Sequence, residues 1–252
     1  MIDWHSLSPW LLLLAPLAVV LGYTVFGLSG FGSTIISVPI LAHFLPVSYL
    51  VPLMAILDLV SSVFVGTTGR KHLSKRELLR LLPLMFVGFG IGATLLVTVP
   101  DAYLRAALGF FAVAIGANAI LNPALHRSIS VWWCVPAGLI GGAVSTLFGA
   151  GGPIYATYLS GRLHDKSEVR ATTSTVISIS AFSRAAVYIV SGLLLNLAVL
   201  AGLVFLAPFV WLGLRTGHRI HVNLSQQQMR RVVGGIVLVT GTSLLARVFF
   251  GL

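Results

Sequence analysis

Two glycine-rich motifs lie inside apolar stretches of this sequence. The motifs are Gly27-Leu-Ser-Gly-Phe-Gly32 and Gly149-Ala-Gly-Gly-Pro153, and each interrupts a long apolar stretch. We expect a helix to begin after each motif, near Ser33-Thr34 and at Pro153, because proline suits the first position of a helix. A helix N-terminus presents free N–H groups and a partial positive charge, and glycine lets a ligand approach them. Two such ends inside a membrane predict an anion site, whereas tight helix packing is the alternative explanation of the glycines.

A cation inside an apolar segment strengthens the prediction of an anion site. Arg184 lies near the middle of the segment 168–192, and an ionisable residue at that depth indicates a function. A structural ion pair or a shallower position is the alternative. Polar residues share its helix face at spacings of three and four. The predicted substrate-binding residues are Gly30, Gly32, Ser33, Thr34, Gly149, Gly151, Gly152, Thr173, Arg184 and Tyr188.

Asp58 is the only carboxylate deep in a predicted membrane span. It is a candidate to carry a coupling proton. It could equally neutralise Arg184 between substrates, or form a purely structural pair with it. The sequence does not separate these three roles.

The composition identifies the environment of these residues. Of the 252 residues, 57% are apolar and 9% are charged, against roughly 25% charged in an ordinary soluble domain. This excludes a soluble enzyme, a disordered chain and a coiled coil, and it predicts an all-α polytopic membrane protein. The net charge of +10 comes from cations between apolar spans, where they set orientation, so we expect membrane lipid and a small anion as partners and no nucleic acid. The sequence is compatible with a homodimer, and it predicts neither a cofactor nor a metal.

The apolar stretches are of two kinds. Six have the ~20 residues that a helix needs to cross a bilayer, and they are 48–69, 77–99, 102–121, 168–192, 194–215 and 229–250. The stretches 8–45 and 131–161 are too long for one crossing and short for two. Because each is interrupted by a glycine motif, we interpret both as broken helical hairpins, which a membrane tolerates where protein or water covers the backbone.

The two halves of the chain, 1–125 and 126–252, are predicted to repeat each other. Residues in the later spans match at an offset of 125 positions and the glycine motifs match at 119. The matched residues are Pro83, Gly88, Gly92, Arg105, Gly109 and Gly116 with Pro208, Gly213, Gly217, Arg230, Gly234 and Gly241. Equivalent loops carry opposite charge bias, which predicts an inverted-topology repeat. Each half is then a re-entrant hairpin plus three transmembrane helices, with both termini outside the cytoplasm. A plain eight-span topology is the alternative.

Catalysis by a membrane-embedded serine is not supported. Ser29 lies in the first motif, but a nucleophilic serine needs a base beside it. The seven histidines all fall at span ends or in loops, at His5, His43, His72, His126, His164, His218 and His221. We therefore expect no enzyme.

The paired motifs resemble those of the sulfite exporter TauE/SafE family of membrane transporters. The resemblance covers nearly the whole chain. It rests on Gly27-Leu-Ser-Gly-Phe-Gly-Ser-Thr-Ile-Ile-Ser-Val-Pro39, Leu147-Phe-Gly-Ala-Gly-Gly-Pro-Ile-Tyr155, Ala171-Thr-Thr-Ser174, Gly88 and Gly92. Family members typically carry a fuller glycine run in the first motif, which Phe31 and Ser33 interrupt here. The resemblance implies transport of sulfite, or of an organosulfonate such as sulfoacetate, across a bacterial inner membrane.

The expected function is secondary transport of a small anion. The sequence has no nucleotide-binding motif, so ATP is not expected to drive it directly. Alternating access would rock one repeat against the other around a site at the membrane midplane. Proton coupling through Asp58 is a hypothesis, and facilitated diffusion is its alternative. The alternative class is an anion channel, or a facilitator for small carboxylates or other oxyanions.

Overall fold

The computed structural model describes residues 9–29, 32–65, 73–121, 128–192, 197–219 and 226–250, and this part of the chain is built of helices. The first half contains α1 (Pro9–Ser29), α2 (Ser33–Leu41), α3 (Val47–Val65), α4 (Lys75–Thr98) and α5 (Asp101–Leu121). The second half contains α6 (Cys134–Phe148), α7 (Gly152–Arg162), α8 (Lys166–Val190), α9 (Leu197–Arg219) and α10 (Gln226–Phe250). A short 3₁₀ turn, Val131–Trp133, leads into α6.

The all-α polytopic fold is confirmed. Within the described chain, six helical stretches are long and apolar enough to cross a membrane: 75–98, 101–121, 131–148, 167–190, 198–217 and 231–250. Five of them match predicted spans. The sixth, 131–148, is the first arm of the second predicted hairpin. The predicted span 48–69 contains α3, although residues 66–69 lie outside the described residues.

Both predicted hairpins are broken at their glycine motifs. In the first, α1 ends at Ser29 and α2 begins at Ser33, and Gly32 has the left-handed φ of 104° that side chains rarely adopt. In the second, Gly149 closes α6 with a φ of 70°, and α7 begins at Gly152 with proline in its first turn. Gly30, which was predicted to belong to the site, lies outside the described residues.

The matched glycines of the later spans lie where two helices pack closely against each other. α4 packs on α6, where a Cβ at Gly88 would lie 2.9 Å from the Gly142 Cα. α9 packs on α1 in the same way, where a Cβ at Gly213 would lie 2.9 Å from the Tyr23 Cβ. The two glycines are 125 positions apart and their partners are 119 apart, which are the offsets found in the sequence.

α5 and α10 also pack closely at glycines that match between the two halves of the sequence. A Cβ at Gly116 would lie 2.7 Å from the Gly234 carbonyl oxygen, and one at Gly241 would lie 3.1 Å from the Gly109 carbonyl oxygen. These pairs exchange under the offset of 125. Helices that approach this closely need small residues at the contact, so the glycines fix how the outer helices pack.

α3 and α8 contact each other. Asp58 comes from α3 and Arg184 from α8, and their side chains are 6% and 5% exposed. Both charges therefore lie inside the protein, beside the two hairpin breaks.

Candidate functional site

The Asp58 carboxylate accepts hydrogen bonds from three hydroxyl groups. Oδ1 accepts from Tyr23 of α1 at 2.8 Å and from Ser33 at 2.6 Å. Oδ2 accepts from Thr34 at 2.7 Å. Ser33 and Thr34 are the first two residues of α2, so the start of this helix meets a carboxylate supplied by α3. A buried carboxylate needs such partners, because an unsolvated charge without them is costly.

Arg184 contacts the same carboxylate. Its Nη2 donates to Asp58 Oδ2 over 3.3 Å, and its Nη1 donates to the Ser145 carbonyl at 3.1 Å. Its Nε is buried and has no hydrogen-bond partner among the described residues. Since buried N–H groups are normally paired, this donor is a candidate to bind a ligand.

A small cavity lies between the two hairpin breaks. Its volume is about 30 Å³, enough for a water molecule or two. Asp58 and Arg184 both line it. The hairpin residues that line it include Gly32, Ser33 and Thr34 from the first break and Gly149, Ala150, Gly152 and Pro153 from the second.

Six of the ten predicted substrate-binding residues line the cavity, together with Asp58, the candidate for proton coupling. The six are Gly32, Ser33, Thr34, Gly149, Gly152 and Arg184.

Three other candidates lie away from the cavity. A Cβ at Gly151 would lie 2.5 Å from the Gly141 carbonyl oxygen, so this residue faces α6, and a larger side chain there would disturb the hairpin. The buried Tyr188 hydroxyl donates to the Thr146 carbonyl. The Thr173 hydroxyl is buried, and no described residue forms a hydrogen bond with it.

Sequence reasoning missed Tyr23 and Ser145. Tyr23 lies in an otherwise apolar stretch of α1, and its hydroxyl meets a carboxylate 35 positions later in the chain. Ser145 takes part in the site through its backbone carbonyl, which any residue type would supply. The only available signal for Tyr23 was a hydroxyl group that must find a partner when it is buried.

A second polar cluster joins α4 to α7 and was also missed. The buried Glu77 carboxylate accepts hydrogen bonds from Arg80 at 2.7 Å, from Tyr158 at 2.6 Å and from Arg162 at 3.3 Å. Arg162 also donates to the Ile129 carbonyl at 3.0 Å. This cluster ties the end of the second hairpin to the first half of the chain.

Comparison with known proteins identifies the class of protein that this fold and site represent. The family model described as "Sulfite exporter TauE/SafE" matches residues 14–244, so the chain belongs to that family of membrane transporters. A relative named "Probable inner membrane transporter protein TsaS", from Comamonas testosteroni, is 24% identical over 193 residues. The alignment covers 76% of this chain and 81% of the relative. No solved structure matches the chain.

Family membership confirms several expectations from the sequence. The chain is a transporter and not an enzyme, and it is a multi-pass protein of the bacterial inner membrane. Its cavity therefore belongs to a protein that moves a small molecule across a bilayer.

Proposed function

We propose that this protein is a secondary transporter for a small anion, sulfite or an organosulfonate such as sulfoacetate. The observation that carries the proposal is the cavity between the two hairpin breaks. Two helix N-termini, each with a partial positive charge, meet there beside the free Nε donor of Arg184. Donors of this kind suit an oxyanion.

The substrate class follows from the family name together with the chemistry of the donors. The matched family is described as a sulfite exporter family. A sulfite or sulfonate group carries three oxygens around one sulfur, so it can accept hydrogen bonds from backbone N–H groups and from a guanidinium at the same time. A guanidinium suits oxyanions better than an ammonium does, because its planar fork of donors matches two oxygens.

We further propose that the two halves form an inverted repeat and that transport proceeds by alternating access. The glycine contacts of α4 with α6 and of α9 with α1 support this, because they are related by the sequence offsets of the repeat. An inverted repeat places its substrate site between the halves, where a rocking motion exposes it to each side in turn. Asp58 and Arg184 come from different halves and meet at the cavity.

Asp58 is our candidate for the coupling proton. It lines the cavity beside Arg184, so its charge acts directly on any anion bound there. A proton on Asp58 would remove the negative charge that opposes the anion. Anion and proton would then cross the membrane together.

Transport by reconstituted protein tests the proposed function. Proteoliposomes should take up radiolabelled sulfite saturably, and an inward proton gradient should accelerate the uptake. Organosulfonates should compete more strongly than simple carboxylates. Arg184→Lys should retain part of the uptake, since lysine keeps the charge but lacks the planar fork.

Two results would contradict this proposal. Absence of saturable uptake for sulfite, sulfonates and carboxylates would exclude an anion transporter. Uptake that persists but produces steady single-channel currents in planar bilayers would assign the protein to the anion channels.

A further inference from the structure

The hydrogen bonds of Asp58 are unequal in length. The three hydroxyl groups donate over 2.6 to 2.8 Å, whereas Arg184 approaches over 3.3 Å with one nitrogen. Charge-assisted N–H···O bonds are usually about 2.7–2.9 Å long. Among the other ion pairs of the described residues, Arg80 with Glu77 and Arg105 with Asp101 are 2.7 and 2.6 Å long, and Arg162 with Glu77 is 3.3 Å long. Among the described residues, the three hydroxyl groups therefore make the closest contacts with the Asp58 carboxylate, and the contact from Arg184 is longer.

The Arg184 guanidinium consequently keeps donor capacity. One nitrogen donates to a neutral carbonyl, one makes the long contact with Asp58, and Nε has no partner in the part of the chain that the structure describes. The side chain is only 5% exposed, so water does not satisfy it freely.

The two hairpin breaks differ in what they offer an anion. At the start of α2, the Ser33 and Thr34 hydroxyls already bind the Asp58 carboxylate. At the start of α7, Gly152 and Pro153 line the cavity and carry no side-chain donor, so the backbone is accessible. In the first turn of α7, the Ile154 and Tyr155 N–H groups donate to the Gly151 carbonyl at 3.0 and 3.2 Å, and Pro153 has no N–H. Gly152 therefore supplies the remaining backbone donor of this turn.

We infer that Tyr23, Ser33 and Thr34 are positioning residues that hold the Asp58 carboxylate away from Arg184, so that Arg184 and the start of α7 bind the substrate oxyanion. This inference rests on the proposed anion transport and assigns different tasks to the two helix ends. Without the hydroxyl groups, Asp58 would pair tightly with Arg184 and compete with the substrate. Tyr23 is decisive, because it is absent from the described residues that line the cavity and yet contacts Asp58.

Calorimetric titration of the purified protein with sulfite tests the inference. Tyr23→Phe, Ser33→Ala and Thr34→Val should each weaken sulfite binding by about tenfold, because each removes one hydrogen bond to a charged group. Thr34→Ser keeps the hydroxyl group and should recover most of the affinity that Thr34→Val loses. The matched controls are Tyr49→Phe and Thr242→Val, whose hydroxyls donate to backbone carbonyls elsewhere, and both should bind as the wild type does.

Repeating the substitutions in an Asp58→Asn background separates positioning from substrate contact. Asp58→Asn should itself tighten sulfite binding, since the competing carboxylate is gone. Each hydroxyl substitution should then change the affinity by less than about twofold, because residues that act through one group are not additive. If Asp58→Asn does not fold, Tyr23→Phe together with the Thr34→Ser rescue still decides the question.

Several outcomes would overturn the inference. Wild-type affinity in Tyr23→Phe, alongside weaker binding in Ser33→Ala and Thr34→Val, would mean that the α2 hydroxyls touch the substrate. Tenfold losses of sulfite affinity on the hydroxyl substitutions in the Asp58→Asn background would also mean that these hydroxyls touch the substrate. A wild-type protein that binds neither sulfite nor another small anion would instead refute the proposed function.

Discussion

The two hairpins share a design but differ at their breaks. α2 begins with two hydroxyl residues that bind a carboxylate of the protein itself, whereas α7 begins with glycine and proline beside a guanidinium. Both breaks lie against the same cavity. On the proposed function, the two helix ends serve different anions: α2 holds a carboxylate of the protein, and α7 receives the substrate.

The glycines at the breaks differ in the space around them. A Cβ at Gly149 would lie 2.9 Å from Arg184 Nη1 and would collide with Thr34. A Cβ at Gly32 would have ordinary contacts, 3.5 Å from Val25 and 3.8 Å from Ile35. The second break is therefore the tighter of the two, and it is in direct contact with the first.

The largest expected effect concerns the side from which the second hairpin enters the membrane. Single cysteines at Ser128 and His164, which flank this hairpin, should both be labelled only from the cytoplasm in a Cys134→Ser background. The cations that follow the hairpin predict this orientation. Labelling of the two positions from opposite sides would favour the plain eight-span topology.

A large effect on binding is expected at Gly149. Gly149→Ala should lower sulfite affinity by more than about tenfold, because the new methyl group displaces Arg184 and Thr34 and also strains the left-handed backbone. Gly192→Ala is the matched control for strain, since Gly192 has a φ of 72° and nothing within 4 Å of the new Cβ. Equal binding losses in both variants would show that strain alone is responsible.

Gly32→Ala should have a smaller effect than Gly149→Ala. The backbone strain is present at both positions, but only Gly149 has a steric conflict with the site. Calorimetry of the two variants side by side measures the difference between the breaks. A greater loss in Gly32→Ala would contradict the assignment of the tighter contact to the second break.

The smallest expected effect compares the far ends of the two hairpins. Tyr158→Phe should lower the free energy of unfolding by roughly 1–3 kcal/mol, because Tyr158 donates to the buried Glu77 carboxylate. Ser243→Ala removes the hydrogen bond to His43 beyond α2, and it should cost less than about 0.5 kcal/mol because that contact is exposed. Thermal unfolding of the two variants checks this order, which equal destabilisation would contradict.

The sequence predicted the helices well because membrane helices have an unmistakable length and composition. It also indicated the starts of α2 and α7, since glycine and proline mark where a helix breaks and begins. Gly32 and Gly149 have the positive φ that only glycine adopts readily.

Side-chain partners were harder to predict because they depend on how helices pack. The bond from Tyr23 to Asp58 requires α1 and α3 to be rotated in a particular way, and no local pattern encodes this rotation. Gly151 was expected at the anion, but spacing alone did not reveal that it faces α6. Glu77 was overlooked because its partners Tyr158 and Arg162 lie more than 80 positions away.

The most direct test of the account is a double-mutant cycle on Arg184 and Asp58, with sulfite affinity and thermal stability measured on purified protein. Each single change to alanine leaves a buried charge without its counter-charge, so each should destabilise the protein. The double variant Arg184→Ala/Asp58→Ala should recover stability but not sulfite binding, because the cation that receives the anion is missing. A doubly neutral protein that binds sulfite with wild-type affinity would remove Arg184 from the site and contradict the account.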